Sequence, residues 1–252
     1  MTEALAPEGF IDLHSHILPG VDDGAESVAE AVAMARGLRD LGYTCLVATP
    51  HVRPGLYDPE PQALLAALRD LRTAIGAAGP RVLLAGEHFL DDEVWMRIAE
   101  GRARPFPNGR SILVEISTVG PAPPRLAERL FRLRVGGLQP VLAHPERCAA
   151  FQDNPELVRE LRGAGAAAAL DLTSLVGQGG RGSRKAAERF LELDLFDAAC
   201  SDLHTERELA EVARSIERLR RLVGDDGLDR LLHRGPLRLA LPSPPPPAEH
   251  PA

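Results

Sequence analysis

The sequence predicts a single α/β domain in which about seven parallel strands form a closed or nearly closed barrel. Its 252 residues suit one barrel domain. Short apolar runs alternate with amphipathic helical patterns, which is typical of a parallel sheet. His, Asp or Glu follows nearly every apolar run. This favours a barrel, in which the loops after all strands meet at one face, over an open sheet, whose site uses the strands near a switch point.

The strand and helix patterns cover the chain without an internal repeat or a domain linker. Apolar runs predict strands at residues 10–13, 44–48, 82–85, 112–116, 139–143, 166–172 and 196–200. Helical periodicity predicts helices from 28 to 42 and at residues 61–78, 91–100, 123–135, 155–163, 183–194, 205–223 and 226–233. Helix starts are predicted by capping boxes at Ser27 with Glu30 and Thr205 with Glu208, and by Asn154 before a proline.

The composition excludes several classes of protein. The net charge of -7, from 29 basic and 36 acidic residues, argues against nucleic-acid binding, which needs a basic surface. Neither an export signal nor a membrane-inserted segment is predicted. Three widely spaced cysteines argue against a disulfide framework and favour a reducing cytoplasmic location. We expect residues 1–9 to be flexible and the Pro-rich residues 241–252 to form a disordered tail.

The most informative segment is Asp12-Leu13-His14-Ser15-His16, at the end of the first predicted strand. Alternate side chains of a strand point the same way, so Asp12, His14 and His16 share one side. Two imidazoles at this spacing can hold one ion of Zn, Mn, Fe or Ni, and Asp12 could orient His14. The turn that follows adds the carboxylates of Asp22 and Asp23.

Five further segments place metal-ligand side chains just after apolar runs. They are Thr49-Pro50-His51, Gly86-Glu87-His88, Val114-Glu115, Ala143-His144-Pro145-Glu146-Arg147 and Ser201-Asp202-Leu203-His204. A carboxylate such as Glu115 within an apolar strand is costly to bury unless it is paired or bound to metal. A single histidine after a strand is typical of a packed core, but the whole set indicates a metal centre.

Taken in order, these motifs resemble the PHP (polymerase and histidinol phosphatase) superfamily. LHSHILPGVDDGA and AHPER are similar to its CpsB/YwqE branch, which are bacterial protein-tyrosine phosphatases. The resemblance covers residues 10–240 and implies a distorted (β/α)7 barrel with three divalent metal ions, expected to be Mn²⁺, with Fe or Zn as alternatives. It also implies a tyrosine-phosphorylated protein substrate, namely a tyrosine autokinase of capsule or exopolysaccharide synthesis, and it allows a homo-oligomer.

Carried over position by position, the resemblance assigns nine metal ligands. The first ion would be held by His14, His16, Glu87 and Asp202. Glu87 would bridge to a second ion, which adds Glu115 and His144. The third would be held by Asp23, His51 and His204, while Asp22 is expected to form the turn.

The chemistry expected of this site is phosphoester hydrolysis. Arg147 offers a planar fork for two phosphoryl oxygens, and Arg207 is a second candidate for substrate contact. We expect Arg147, Asp202 and His204 to form the catalytic group, with a metal-bridged hydroxide attacking phosphorus in line. No general acid is assigned, because a phenol, with a pKa near 10, leaves with less proton help than an alcohol.

Two alternatives stay open from the sequence. A histidinol-phosphate or other small phosphoester phosphatase would share the metal site. A catalytically silent PHP module that binds a partner would lack some ligands, and every matched ligand is present here. An amidohydrolase-type barrel would normally need a carboxylated lysine, whereas Lys185 lies in a predicted helix. A cysteine nucleophile at Cys148, where the family often has tyrosine, is disfavoured because its neighbours do not form a recognisable phosphate loop.

Overall fold

The computed structural model describes residues 7–242. The strands are β1 (Phe10–Ser15), β2 (Tyr43–Ala48), β3 (His51–Val52), β4 (Arg81–Leu84), β5 (Glu87–Phe89), β6 (Ser111–Glu115), β7 (Gln139–Ala143), β8 (Ala167–Asp171) and β9 (Ala198–Cys200). The α-helices are α1 (Val28–Asp40), α2 (Pro61–Ile75), α3 (Asp92–Ala99), α4 (Leu126–Val135), α5 (Ala149–Gln152), α6 (Pro155–Gly163), α7 (Gly180–Glu192), α8 (Leu209–Asp229) and α9 (Gly235–Ala240). Most of the predicted flexible N-terminus and Pro-rich tail lies outside the described residues.

The named strands pair in parallel, which confirms the predicted α/β class. One sheet has the order β1-β2-β4 and the other the order β3-β5-β6-β7-β8-β9. Only two residues separate β2 from β3 and β4 from β5. The breaks have local causes, since Pro50 lacks an amide proton and the Gly86 amide donates to the Arg104 carbonyl at 3.0 Å. Strands β2 and β4 match the predicted strands at 44–48 and 82–85, whereas β3 and β5 lie outside the predicted strands and each continues the strand before it into the other sheet.

Backbone hydrogen bonds also join β1 to the segment that follows β9. The His16 amide donates to the Leu203 carbonyl at 2.9 Å, and the Asp202 amide donates to the His14 carbonyl at 3.0 Å. The first and the last candidate ligand motifs of the chain therefore lie side by side.

The two faces of the strands pack into different apolar clusters, as the period of two along a strand requires. In β6, Ile112 and Val114 join the large cluster that includes the helices, whereas Leu113 joins a smaller one. Phe106, which precedes β6, and Leu239, which lies on α9, also belong to the smaller cluster. Core residues thus occupy both sides of the strands, and the polar ligand motifs are left at their C-terminal ends.

The helix ends differ from the predictions in their capping. Ser27 accepts from the Glu30 amide at 3.2 Å, but the Glu30 carboxylate accepts from Glu26 instead of Ser27. The Thr205 capping box is present in full. Asn154 is the N-cap of α6 but makes no side-chain cap bond, and the helix begins at the proline that follows it.

The C-terminal helices agree with the predicted break after residue 223. Gly224, with φ of 71° and ψ of -179°, is not helical and interrupts α8, and the residues after it are helical where the sequence predicts a helix at 226–233. Helix α9 was not predicted, because six residues are too few for a periodic pattern. Across residues 7–242, none of the helices has both the length and the apolar character to span a membrane.

Candidate metal centre

Ligand-type side chains gather at the C-terminal ends of the strands. They form four overlapping groups, and within each group one ligand atom per residue lies within 4.8 Å of the others. The groups are His14, His16 and Glu87; His14, His144 and Asp202; His51, Glu87 and Glu115; and His16, Asp23, His51 and His204. In the described part of the chain, these groups bring together the nine residues that the sequence resemblance assigns as ligands.

The Glu87 carboxylate lies at the centre of this cluster. Its oxygens are 3.1 Å from His14 Nε2, 2.8 Å from His51 Nδ1 and 3.2 Å from His144 Nε2. His14, His16 and Glu87 lie together, and so do Asp23, His51 and His204, as in the expected assignment. The groups overlap, since His51 also lies with Glu87 and Glu115, and His144 lies with His14 and Asp202 as well as 3.2 Å from Glu87. The short β3 strand places His51 beside Glu87 in register.

The donor atoms are close together but poorly aligned for hydrogen bonds to one another. Within residues 7–242, atoms that are buried without a hydrogen-bond partner include His14 Nε2, His16 Nε2, His51 Nδ1, Glu87 Oε2, Glu115 Oε2 and His144 Nδ1. Buried polar atoms are nearly always hydrogen-bonded, so a cluster of exceptions needs another partner. Imidazoles and carboxylates without a thiolate fit a divalent ion such as Mn, Fe or Zn.

Acidic and basic side chains lie close together in this buried cluster and shift one another's pKa values. Burial alone would raise the pKa of the Glu87 carboxyl, but the His14 ring and other imidazoles hold that pKa well below its usual value. Burial would lower the pKa of His14, but Glu87 and Asp202 raise it to about 10. Burial and the charge of Glu87 raise the pKa of Glu115. The carboxylates thus favour positive charge at their centre, whether it is carried by protons or by a metal ion.

Two residues that the sequence analysis did not identify as positioning groups orient the histidines. Thr49 Oγ1 lies 2.5 Å from His14 Nδ1. Asp22 Oδ2 lies 2.8 Å from His16 Nδ1, and Asp22 Oδ1 accepts from the Gly24 amide at 3.1 Å. Asp22 therefore forms the turn, as expected, and also fixes the His16 ring. Such partners hold a ligand histidine in one tautomer and orientation.

The expectation that Asp12 orients His14 is wrong. The Asp12 carboxylate accepts from the Ser201 amide at 3.0 Å and from the Ser201 hydroxyl at 2.5 Å. It meets His14 only through the His14 backbone amide, at 3.4 Å. A hydroxyl and an amide from the end of β9 supply better-placed donors for Asp12, so this carboxylate links β9 to β1 instead.

Two candidate ligands have an unusual backbone conformation. His144 has φ of 35° and Asp202 has φ of 49°, in the left-handed region that non-glycine residues rarely occupy. His144 directly follows β7, and Asp202 follows β9 after one intervening residue. Backbone strain of this kind costs about 1–3 kcal/mol per residue and clusters at functional sites.

Arg147 lies beside the candidate ligands with its side chain 35% exposed. Its Nη1 is 2.6 Å from Asp202 Oδ2 and 3.5 Å from Asp171 Oδ2. Beneath it, the buried Glu146 accepts from the Asp171 amide and the Ser174 hydroxyl. Burial, followed by the charge of Asp171, raises the pKa of Glu146 to about 8. The guanidinium is thus held at the edge of the metal-ligand cluster and remains accessible.

A cavity of about 280 Å³ opens onto this cluster. It is lined by Asp23, His51, Arg53, Leu56, Tyr57, Glu87, Glu115, Thr118, His144, Arg147, Asp202 and His204. Arg207 is exposed on the turn Glu206–Glu208 and is not part of this lining. Cys148 is fully buried, and burial raises the pKa of its thiol, which disfavours a thiolate nucleophile. Lys185 is exposed on α7.

Known proteins share both the sequence and the fold of this chain. Tyrosine-protein phosphatase YwqE from Bacillus subtilis (strain 168) is 35% identical over 198 residues, covering 77% of each chain. Tyrosine-protein phosphatase CpsB from Streptococcus pneumoniae is 28% identical over 202 residues, covering 77% of this chain and 83% of CpsB.

A solved structure shares almost the whole architecture. It comes from crystal structures of YwqE and CpsB, described as unique metal-dependent tyrosine phosphatases. It superimposes with a TM-score of 0.82 at 29% identity, covering 95% of this chain and 100% of the other. Residues 10–240 match the family described as capsular polysaccharide synthesis, CpsB/CapC. This chain therefore belongs to the CpsB/CapC family.

Proposed function

We propose that this protein is a metal-dependent phosphatase that hydrolyses phosphotyrosine in proteins. The observation that carries the proposal is the buried cluster of unpartnered imidazole and carboxylate atoms beside an accessible arginine. Relatives named as tyrosine-protein phosphatases support the substrate class. The family takes its description from capsular polysaccharide synthesis. The proposed substrate is therefore a bacterial tyrosine autokinase that controls capsule or exopolysaccharide synthesis.

The proposed catalytic unit is a single domain, residues 10–240, with the form of a distorted (β/α)7 barrel. Counting β2 with β3 and β4 with β5 as interrupted strands gives seven strand positions. The hydrogen bonds from His16 to Leu203 and from Asp202 to His14 support closure between β1 and β9. In such a barrel, residues at the C-terminal ends of the strands form one active-site face.

The proposed cofactor is a set of three divalent ions, with Mn²⁺ as the expected metal. They would be held by His14, His16, Asp23, His51, Glu87, Glu115, His144, Asp202 and His204, whose unpartnered donor atoms fit such ions. When bound, divalent ions supply a nucleophile from water at neutral pH and stabilise negative charge on the phosphoryl group.

Arg147 is the proposed phosphoryl-binding residue. Its planar guanidinium can donate two parallel hydrogen bonds to phosphoryl oxygens, which a lysine cannot do. Asp171 and Asp202 hold Nη1 from one side, so the fork is oriented before substrate arrives. The phenolate of tyrosine leaves with less proton help than an alkoxide, so the proposal needs no dedicated general acid.

The test measures hydrolysis before and after removal of bound metal. Chelation is expected to abolish turnover of a phosphotyrosyl peptide, and added Mn²⁺ is expected to restore it in the unmodified protein. His14→Ala is expected to lose both bound metal and restorable activity. Faster turnover of histidinol phosphate than of the peptide would favour the small-phosphoester alternative. A stably folded protein that binds no metal and hydrolyses neither substrate would favour the alternative of a catalytically silent binding module.

A further inference from the structure

One wall of the active-site cavity is not explained by the metal centre. Most lining residues are carboxylates, imidazoles or arginines, whereas Leu56 and Tyr57 provide apolar and aromatic surface. Both belong to the turn of residues 53–57 that follows β3, which we name the rim turn. Leu56 is 59% exposed, so its side chain is accessible to a molecule in the cavity.

The rim turn is fixed by its own contacts. The Arg53 amide donates to the Tyr57 carbonyl at 2.7 Å, and the Tyr57 amide donates to the Arg53 carbonyl at 2.9 Å. Pro54 followed by Gly55, with φ of 83°, is the residue pattern of a type II turn. The Arg53 guanidinium lies 4.0 Å from the centre of the Phe89 ring. This surface is therefore preformed, which lowers the entropic cost of binding to it.

The position of the rim turn matches the part of a substrate next to its phosphoryl group. The Tyr57 ring stacks on the His51 ring, with centroids 5.5 Å apart and an angle of 16°. A phosphoryl group that reaches Arg147 must leave its ester substituent in the remaining cavity. The volume of about 280 Å³ lies just below the range of about 300 to 1,000 Å³ that is typical of ligand pockets. A cavity of this size favours a small ester substituent such as a single ring.

We propose that Leu56 and Tyr57 of the rim turn contact the phenyl ring of phosphotyrosine and make the site selective for aryl over alkyl phosphates. This inference rests on the proposed phosphatase function and names residues that determine its substrate class. Phosphoserine offers one methylene at the same position and gains little from this wall. An aromatic contact changes affinity by about 2- to 12-fold.

The test compares phenylphosphonate with methylphosphonate by calorimetry on the Mn²⁺-loaded protein. Their P–C bonds are not hydrolysed, so differences in leaving-group ability do not affect the measured affinities. The unmodified protein is expected to bind phenylphosphonate more tightly. Leu56→Ala and Tyr57→Ala are each expected to reduce that preference by about 2- to 12-fold without changing the affinity for methylphosphonate. Tyr57→Phe keeps the ring and is expected to keep the preference.

Leu65→Ala is the matched control, because Leu65 is also 59% exposed but lies on α2 outside this cavity lining. Bound metal is measured in every variant. If Tyr57→Ala loses metal through its contact with His51, the result for Leu56→Ala decides the question. An unchanged preference in Leu56→Ala, or equal affinity of the unmodified protein for both phosphonates, would overturn the inference. An intact ring preference without turnover of a phosphotyrosyl peptide would instead contradict the proposed phosphatase function.

Discussion

Replacing Thr49 with valine tests how the candidate metal centre is held in place. Thr49 Oγ1 lies 2.5 Å from His14 Nδ1 and accepts from the Ser15 amide at 3.2 Å. Thr49 and His14 are both fully buried, so water cannot replace a lost hydroxyl. With Nε2 facing the other candidate ligands, Nδ1 carries the proton and donates to Thr49. Thr49→Val leaves two buried donors without their acceptor.

The expected effect has two parts. An unsatisfied buried donor costs about 1–3 kcal/mol, which lowers the free energy of unfolding. Loss of a partner that orients a ligand histidine typically weakens metal affinity about 10- to 100-fold. At about 1.4 kcal/mol for each factor of ten, this corresponds to about 1.4–2.8 kcal/mol of binding free energy.

The assay is calorimetric titration of the metal-stripped protein with Mn²⁺. Thr44→Val is the matched control, because Thr44 lies on β2, the strand that Thr49 directly follows, and its buried hydroxyl has no partner in residues 7–242. We expect Thr44→Val to bind Mn²⁺ like the unmodified protein and Thr49→Val to bind it at least tenfold more weakly. Equal affinities in the two variants would refute the positioning role of Thr49.

Two further substitutions separate substrate binding from folding. Arg147→Lys should keep bound metal and lower kcat/KM for a phosphotyrosyl peptide by about 100-fold, because an ammonium cannot form the two-pronged contact; a loss of metal in elemental analysis would contradict this. Asp12→Ala should lower the free energy of unfolding in urea by about 3 kcal/mol, because the Ser201 amide and hydroxyl lose their acceptor. The exposed Asp70→Ala is its control, expected within about 0.5 kcal/mol of the unmodified protein.

The sequence predicts the order of strands and helices because the apolar runs are long enough to show a period. Strand β7 and helix α6 have the predicted bounds. The two-residue strand β3 could not be predicted, because its conformation depends on pairing with β5, about 35 residues further along the chain. The break before β3 arises from Pro50, whose effect on the sheet becomes evident only with the neighbouring strands in place.

The set of candidate ligands is easier to predict than their grouping. Parallel strands end at one face, so histidines and carboxylates at those ends converge whatever their order in the sequence. Which of them lie within reach of one another depends on side-chain directions after interrupted strands, since His51 belongs to two of the groups and His14 to two others. The positioning residue Thr49 is 35 residues from His14, and no local pattern connects them.

The candidate metal centre and the junction between β1 and β9 use the same short segments. His14 and Asp202 bring side chains into the ligand cluster, and their backbones form a hydrogen bond across the junction. Asp202 holds a strained backbone with φ of 49°, which neighbouring contacts must offset. Because one cation would attract ligand atoms from both segments, metal binding would also stabilise the junction. A cation held by these histidines and carboxylates would therefore stabilise the fold as well as supply the proposed chemistry.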